Sequence, residues 1–231
     1  MLDLSYDLHI HSCLSPCADD DMTPANIIGM AAVKKLDVVA LTDHNSCKNC
    51  EAFIEKAKEF DIIAIPGMEL TTSEEVHVLV YFENLDSAME FDSLVSEKLI
   101  KTKNNPTIFG NQILYNTQDK ESGREEYLLS QATTISFNNV YDIAKKMGGV
   151  AVPAHCNKES NSVQAMLGFM PPGLGYSTIE IFDKGMPLNE KAKNYKQIKN
   201  SDAHFLEQIS EPVNFMKVNE RSIRDILSSL K

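Results

Sequence analysis

The sequence predicts an α/β fold in which a parallel sheet rolls into a closed or nearly closed barrel. Three observations lead there. Short β-branched and apolar runs alternate with helical stretches of about ten residues, the pattern of strands joined by crossovers. About seven such strands fit within one domain, and 231 residues is a length that suits one domain. All six histidines fall at, or just inside, the C-terminal end of an expected strand, the edge where such a barrel carries its chemistry.

Tyr6–His11 reads as the first strand. Thr23-Pro24 opens a helix to about Lys35, because threonine caps free amides and proline suits the first helical position. Val38–Leu41 is a short buried strand ending in Thr42-Asp43-His44-Asn45. Asn49–Phe60 is an amphipathic helix, Ile62–Ile65 a strand closed by Pro66-Gly67, Val76–Phe82 a fourth strand and Asp86–Thr102 a long helix. Lys103–Thr134 is polar and without a clean period, so it reads as an insertion. Asn139–Lys146 is helical and stops at Gly148-Gly149. Val150–His155, Thr178–Phe182, Gln197–Ser201 and Pro212–Val218 complete the strands. Ser162–Phe169 is a helix between two of them, and Ser222 with Asp225 caps a last helix, Ile223–Leu230.

Composition narrows the function. There are 22 Lys+Arg against 33 Asp+Glu, a net charge of −11, which argues against broad nucleic-acid binding and against an anionic membrane. No apolar run approaches the ~18 residues that span a bilayer. The opening MLDLSYDLHIHS lacks the basic and apolar regions of a signal peptide, so a cytoplasmic location is expected. Five cysteines cannot all pair within one chain, and they read as reduced thiols near the site rather than as a disulfide framework. Cys47-x-x-Cys50 has no second well-spaced pair and is weak evidence for a metal or redox site.

The histidines carry the chemistry. His9 and His11 are spaced i, i+2 and share a strand face; Asp202 and His204 repeat that spacing; His44, His77 and His155 sit on other strand ends, with Glu69 and Asp19 nearby. Six imidazoles at one mouth repel when charged and are costly to bury when neutral and unpartnered. Divalent cations remove both problems. The mixed nitrogen and oxygen donor set suits Zn²⁺, Mn²⁺ or Fe²⁺ and is too rich in nitrogen for Ca²⁺ or Mg²⁺ alone. Two or three ions fit such a set, with positions left open for water and substrate.

The segments Asp7-Leu8-His9-Ile10-His11-Ser12, Leu41-Thr42-Asp43-His44-Asn45, Pro66-Gly67-Met68-Glu69, Val76-His77-Val78, Pro153-Ala154-His155 and Ser201-Asp202-Ala203-His204 resemble, in order, those of the PHP (polymerase and histidinol phosphatase) family. The chain looks most like that family's small stand-alone metal-dependent phosphoesterases. The resemblance implies a single domain over residues 1–231, folded as a distorted (β/α)7 barrel of TIM-like form with the metals at the C-terminal strand ends. It implies a first metal held by His9, His11, Glu69 and Asp202, a second by Glu69, His77 and His155, and a third by Asp19, His44 and His204. The loop after His11 is longer than the family's Ser-Asp-Gly; counting back from Thr23-Pro24 selects Asp19, with Asp20 and Asp21 as alternatives.

Two cations about 3.5–4 Å apart would neutralise a phosphate ester and activate a water for in-line attack. Glu69, Asp202 and His204 are the residues expected to take part in catalysis. Lys158, three residues beyond His155, is the candidate substrate contact, ahead of Arg124 and Lys184. The expected substrate is a small phosphorylated molecule. The rival readings are a catalytically silent metal-binding regulatory domain and a metallohydrolase of carbon–nitrogen or carbon–oxygen bonds.

Overall fold

The computed structural model describes all 231 residues. In chain order the elements are β1 (Leu2–Ile10), α1 (Pro24–Val33), β2 (Val38–Leu41), α2 (Cys50–Ala57), β3 (Ile63–Thr71), β4 (His77–Tyr81), α3 (Leu85–Lys98), α4 (Pro106–Phe109), β5 (Ile113–Tyr115), β6 (Glu121–Arg124), α5 (Phe137–Lys146), β7 (Val150–Pro153), α6 (Val163–Leu167), β8 (Thr178–Glu180), β9 (Lys196–Ile198), β10 (Phe215–Val218) and α7 (Ile223–Ser229). Six strands form one curled sheet in the order β10-β1-β2-β3-β4-β7, a half-barrel. β8 and β9 form a separate parallel pair whose β8 packs alongside β7.

The expected all-parallel sheet is in fact mixed. β1-β2 and β2-β3 are parallel, whereas β3-β4, β4-β7 and β1-β10 are antiparallel. The cause is connection length. Only residues 72–76 join β3 to β4, too few for the crossover a parallel pair needs, and they close as a turn with Thr72 N donating to Val76 O. His77 therefore opens β4 instead of ending it. It still reaches the same mouth, because reversal sets it opposite Thr71 at the end of β3.

Pro66-Gly67, expected to close a strand, lies inside one. Ile63–Pro66 pairs with β2, and Gly67–Thr71 pairs with β4, so β3 changes partners at this dipeptide. A side chain at position 67 would press on the sheet, since the Val80 carbonyl oxygen lies 2.9 Å from where its Cβ would stand. This handover carries Glu69 to the mouth.

Side chains alternate along the strands between two apolar clusters. Val39 and Leu41 join Ile27, Ile28 and Phe53 beneath α1 and α2, while Val38 and Ala40 join Leu8, Ile65, Leu79, Ile226 and Leu227 on the other face. The β1-β2 register shifts between Asp7 and Ile10, an irregularity of the kind that re-aims side chains near active sites. Caps fall where the sequence places them: Thr23 accepts from Asn26 N and Ser222 from Asp225 N, although Asp225 turns back to the amides of Asn219 and Glu220 rather than to its own cap residue. Residues 103–134 hold α4 and the β5-β6 hairpin, bound to the mouth by Ile113 N donating to Cys13 O (2.8 Å) and by Asn45 Nδ2 donating to Leu129 O and Gln131 O.

Two glycines separate packing from propensity. Gly67→Ala should cost about 1–3 kcal/mol through overpacking against backbone. Gly29→Ala, in α1 with open space around it, should be neutral or stabilise by up to about 1 kcal/mol. Thermal unfolding of both variants checks the pair; equal effects would contradict this account of β3.

Candidate metal centre

Separate stretches of backbone deliver the acids and imidazoles to one mouth. His9 lies on β1 with His11 just beyond, and His44 follows β2, bridging in parallel to Glu69 on β3. His77 opens β4, His155 follows β7, and Asp202 and His204 follow β9, held beside β1 through the Ile10–Ala203 bridge. Two of these residues have left-handed backbone, His155 at φ 26° and Asp202 at φ 52°. Such backbone costs on the order of 1–3 kcal/mol and persists only where neighbours fix it. At His155 the neighbour is Glu180, whose Oε2 accepts the His155 amide at 2.7 Å.

The first group is His9, His11, Glu69 and Asp202. His9 Nδ1 faces both oxygens of Glu180 (3.1 and 3.0 Å), and a carboxylate can only accept, so the proton sits on Nδ1. His11 Nδ1 is engaged by Ser15 Oγ (2.9 Å), which in turn donates to Asp43 (2.7 Å). The two Nε2 atoms are left 3.1 Å apart. Asp202 Oδ1 is 3.3 Å from each, and Glu69 oxygens are also 3.3 Å from each. Two imidazole nitrogens and two carboxylates thus converge on one point, where a cation taking the place of protons satisfies all four.

The second group, His44, Glu69 and His77, shares Glu69 with the first. Glu69 Oε2 is 3.1 Å from His44 Nδ1, and Oε1 is 2.9 Å from His77 Nδ1 and 3.1 Å from His155 Nε2. The Nδ1 atoms of His44 and His77 are buried and form no aligned hydrogen bond despite this proximity, the geometry of lone pairs addressed to an ion. Burial, helped by His44 and His155, outweighs Glu69 and pushes His77 down to about 4, so the ring is neutral as a ligand must be. Burial opposes ionisation of Glu69 too, yet His77, His9 and His44 hold its carboxyl well below the usual range. The donors present therefore fit two or more divalent cations.

The third group is His11, His44 and His204. His204 Nδ1 lies 2.8 Å from the Asp202 carbonyl oxygen, which keeps the proton there and frees Nε2. Asp19, expected here, does not join it. Its amide, not its carboxylate, faces the cluster, donating to His204 O at 3.0 Å, and the exposed carboxylate accepts from Asp21 N. Asp20 is likewise turned away, toward Asn111. Cys17, nearby on the same loop, is exposed; burial works against ionisation of its thiol, but His44 above all, with His204 and His11, brings it down to about 5.

Lys158 stands at the rim, with Nζ 2.9 Å from Asp202 Oδ2, the oxygen that does not face the His9–His11 pair. Arg124 lies elsewhere, on β6, bonded to Glu121 and Asn111. Sequence reasoning missed the supporting roles of Glu180, Ser15 and Asp43. Glu180 was detectable as one acid in the apolar run Thr178-Ile179-Glu180-Ile181, a residue that a strand buries only for a purpose.

A family model described as the PHP domain matches residues 7–158. The Methanocaldococcus jannaschii protein MJ1295 is 38% identical over 77 residues, 29% of this chain and 34% of that protein, so the match spans about a third of the relative. Among solved structures, the lesion-specific endonuclease Q of Pyrococcus furiosus aligns with a TM-score of 0.69 at 18% identity, covering 100% of this chain and 56% of that one. Endonuclease Q in complex with a 27-mer duplex substrate, an abasic lesion at its active site, gives 0.67 at 17% identity, covering 98% and 56%. A Bifidobacterium adolescentis protein, to which metal-dependent phosphoesterase activity is ascribed, gives 0.64 at 17% identity, covering 97% and 96%. At these identities the structures share the fold.

The duplex complex corrects one expectation. A net charge of −11 argues against broad nucleic-acid binding, and the resemblance to small phosphoesterases leads to a small phosphorylated partner, yet the same fold meets a DNA duplex at the active site of endonuclease Q. Whole-chain charge is a sum over the surface, whereas a polyanion that docks at a metal centre meets the cations first.

Glu180→Ala should weaken metal binding about 10–100-fold with the fold retained, because it frees the His9 ring. Competition with a chromophoric chelator measures this. In the metal-free protein Glu180, Glu69 and Asp202 raise His9 well above its ordinary value against the pull of burial, so protons compete with metal. Affinity should fall as pH drops from about 8 to about 6, with proton release on binding seen by calorimetry.

Proposed function

The chain belongs to the PHP domain family, and from that premise we propose that this metal-dependent hydrolase cleaves phosphodiester bonds, with a nucleic-acid strand as its substrate. The observation that carries the reading is the convergence of three ligand groups on Glu69 and its neighbours at one mouth, with a lysine at the rim. The duplex seated on the same fold in endonuclease Q supports the choice of substrate class. Residues 103–134 are an inserted segment that borders the mouth and shapes access to it.

Each residue then has a task. His9, His11, Glu69 and Asp202 would hold one cation, and Glu69, His44, His77 and His155 a second. Zn²⁺, Mn²⁺ or Fe²⁺ would supply Lewis-acid charge and an acidified water. Asp202 divides its oxygens, one toward the His9–His11 pair and one toward Lys158, and so sets the ammonium against a phosphate oxygen. His204, with its proton fixed on Nδ1, can take up a second proton at Nε2 and, once doubly protonated, return it to a leaving oxygen. Glu180 and the Ser15–Asp43 pair act one step back, fixing two imidazole rings.

Duplex and single-stranded oligonucleotides, with and without an abasic site, bis-p-nitrophenyl phosphate and nucleoside monophosphates, each with Mn²⁺ or Zn²⁺, form the test. Strand cleavage that disappears in His9→Ala, together with one bound metal, supports the reading. Lys158→Ala should lower kcat/KM about 10–100-fold, the worth of a hydrogen bond to a charged oxygen. Bound metals with no phosphodiester turnover would sink it in favour of the silent or non-phosphate alternatives.

A further inference from the structure

An open groove of about 590 Å³ lies beside the metal centre, next to β8 and β9, and no step described above uses it. Asn157, Phe182, Met186, Leu188, Lys193 and Gln197 line it. Its size falls within the ~300–1,000 Å³ usual for ligand clefts.

One buried residue joins groove and mouth. Asn157 directly precedes Lys158. Its Nδ2 donates to Phe182 O (2.9 Å) and Met186 O (3.0 Å), and its Oδ1 accepts from Phe182 N (2.8 Å). Its carbonyl accepts from Met186 N (2.7 Å). Gly185 permits this closeness, because a Cβ there would lie 2.5 Å from Asn157 Nδ2. Residues 182–186 are thereby fixed to the turn that carries Lys158. The half-buried Phe182 ring has Lys158 Nζ 5.8 Å from its centroid, and the same Nζ lies 2.9 Å from Asp202 Oδ2. An aromatic ring and an ammonium thus stand together between the metal ligands and the groove.

The far wall is basic in an acidic protein. Residues 184–199 hold five lysines against one acid, Glu190, whereas the whole chain carries −11. Lys196 turns away to Ser229 O. Lys193 and Lys199 pair with the exposed Glu190 and Asp183, contacts worth little in water that a phosphate oxygen can replace. A ring beside ammonium groups matches a chain of bases and phosphates. The strand must be single at this point, since a duplex keeps its bases stacked on one another.

We infer that this groove is the track of the strand next to the bond that is cut. Phe182 stacks the base beside the scissile phosphate, and Lys184 and Lys193 meet the phosphates beyond it. The inference rests on the phosphodiester reading above and adds the side on which the strand runs and its single-stranded state there.

Binding tests it without requiring turnover. Metal-loaded full-length protein is titrated into fluorescein-labelled single-stranded DNA of about 12 nucleotides, a length in the range of single-strand sites, and anisotropy is read. If the strand is cut, KM for it replaces the anisotropy constant. Phe182→Ala should weaken binding about 10-fold, the worth of one stacked base, and Phe182→Tyr should retain it. Lys184→Gln combined with Lys193→Gln should flatten the slope of log affinity against log salt by about 1.4, from two contacts at ~0.7 each. Lys217→Gln, the same charge change on β10, should alter neither. Wild-type affinity in Phe182→Ala and wild-type salt dependence in the double variant would overturn the groove. A tyrosine variant as weak as the alanine one would overturn stacking by Phe182. A protein that hydrolyses bis-p-nitrophenyl phosphate and binds no strand overturns the groove and leaves the diester chemistry standing. Strand binding that depends on Phe182, without hydrolysis of any diester, upholds the groove and overturns the hydrolase reading.

Discussion

One carboxylate organises this protein. Glu69 is 1% exposed, and its two oxygens lie within 3.3 Å of nitrogens from His9, His11, His44, His77 and His155. Those five rings come from four strands or their ends. A buried anion among so many imidazoles is tolerable only because each compensates the other, and removing one partner leaves the rest with an unpaired charge in a poorly solvated place. The sheet is built around this demand. β3 changes partners at Pro66-Gly67, so that Glu69 stands where the parallel and antiparallel halves meet.

The supporting contacts show how position is enforced. His9 is fixed by Glu180 and His11 by Ser15, each through the nitrogen that does not face the cluster. The left-handed backbone at His155 and Asp202 would relax elsewhere in a protein. Here Glu180 takes the His155 amide, and the Ile10–Ala203 bridge holds the stretch beyond Asp202. Glu180 therefore serves ring and backbone at once, and Asn200 Nδ2 donates to it in turn at 2.7 Å.

Much of this was legible in the sequence, and the failures have physical causes. Histidine spacing and strand ends located the mouth, because i, i+2 periodicity decides which face a side chain takes. Direction was not legible: Val76–Phe82 looks alike whether it runs with or against its neighbour, and only the shortness of residues 72–76 forces reversal. Pro66-Gly67 reads as a stop by local rules, yet a proline at a change of partners forfeits little and a glycine there admits a neighbouring carbonyl. Asp19 was chosen by counting along a loop, whereas a loop's path is set by its anchors. Those anchors, Ser15 and the Asp19 amide, leave the Asp19 carboxylate facing out.

β1 lies between β2 and β10, with Leu2 opposite Val218, so residues translated early pair with residues translated late. His9 and His11 leave the ribosome long before Glu180, Asp202 and His204, which lie outside residues 7–158. The second ligand group is complete within the first two thirds of the sequence, whereas the first closes only when the segment carrying Asp202 comes to lie beside β1.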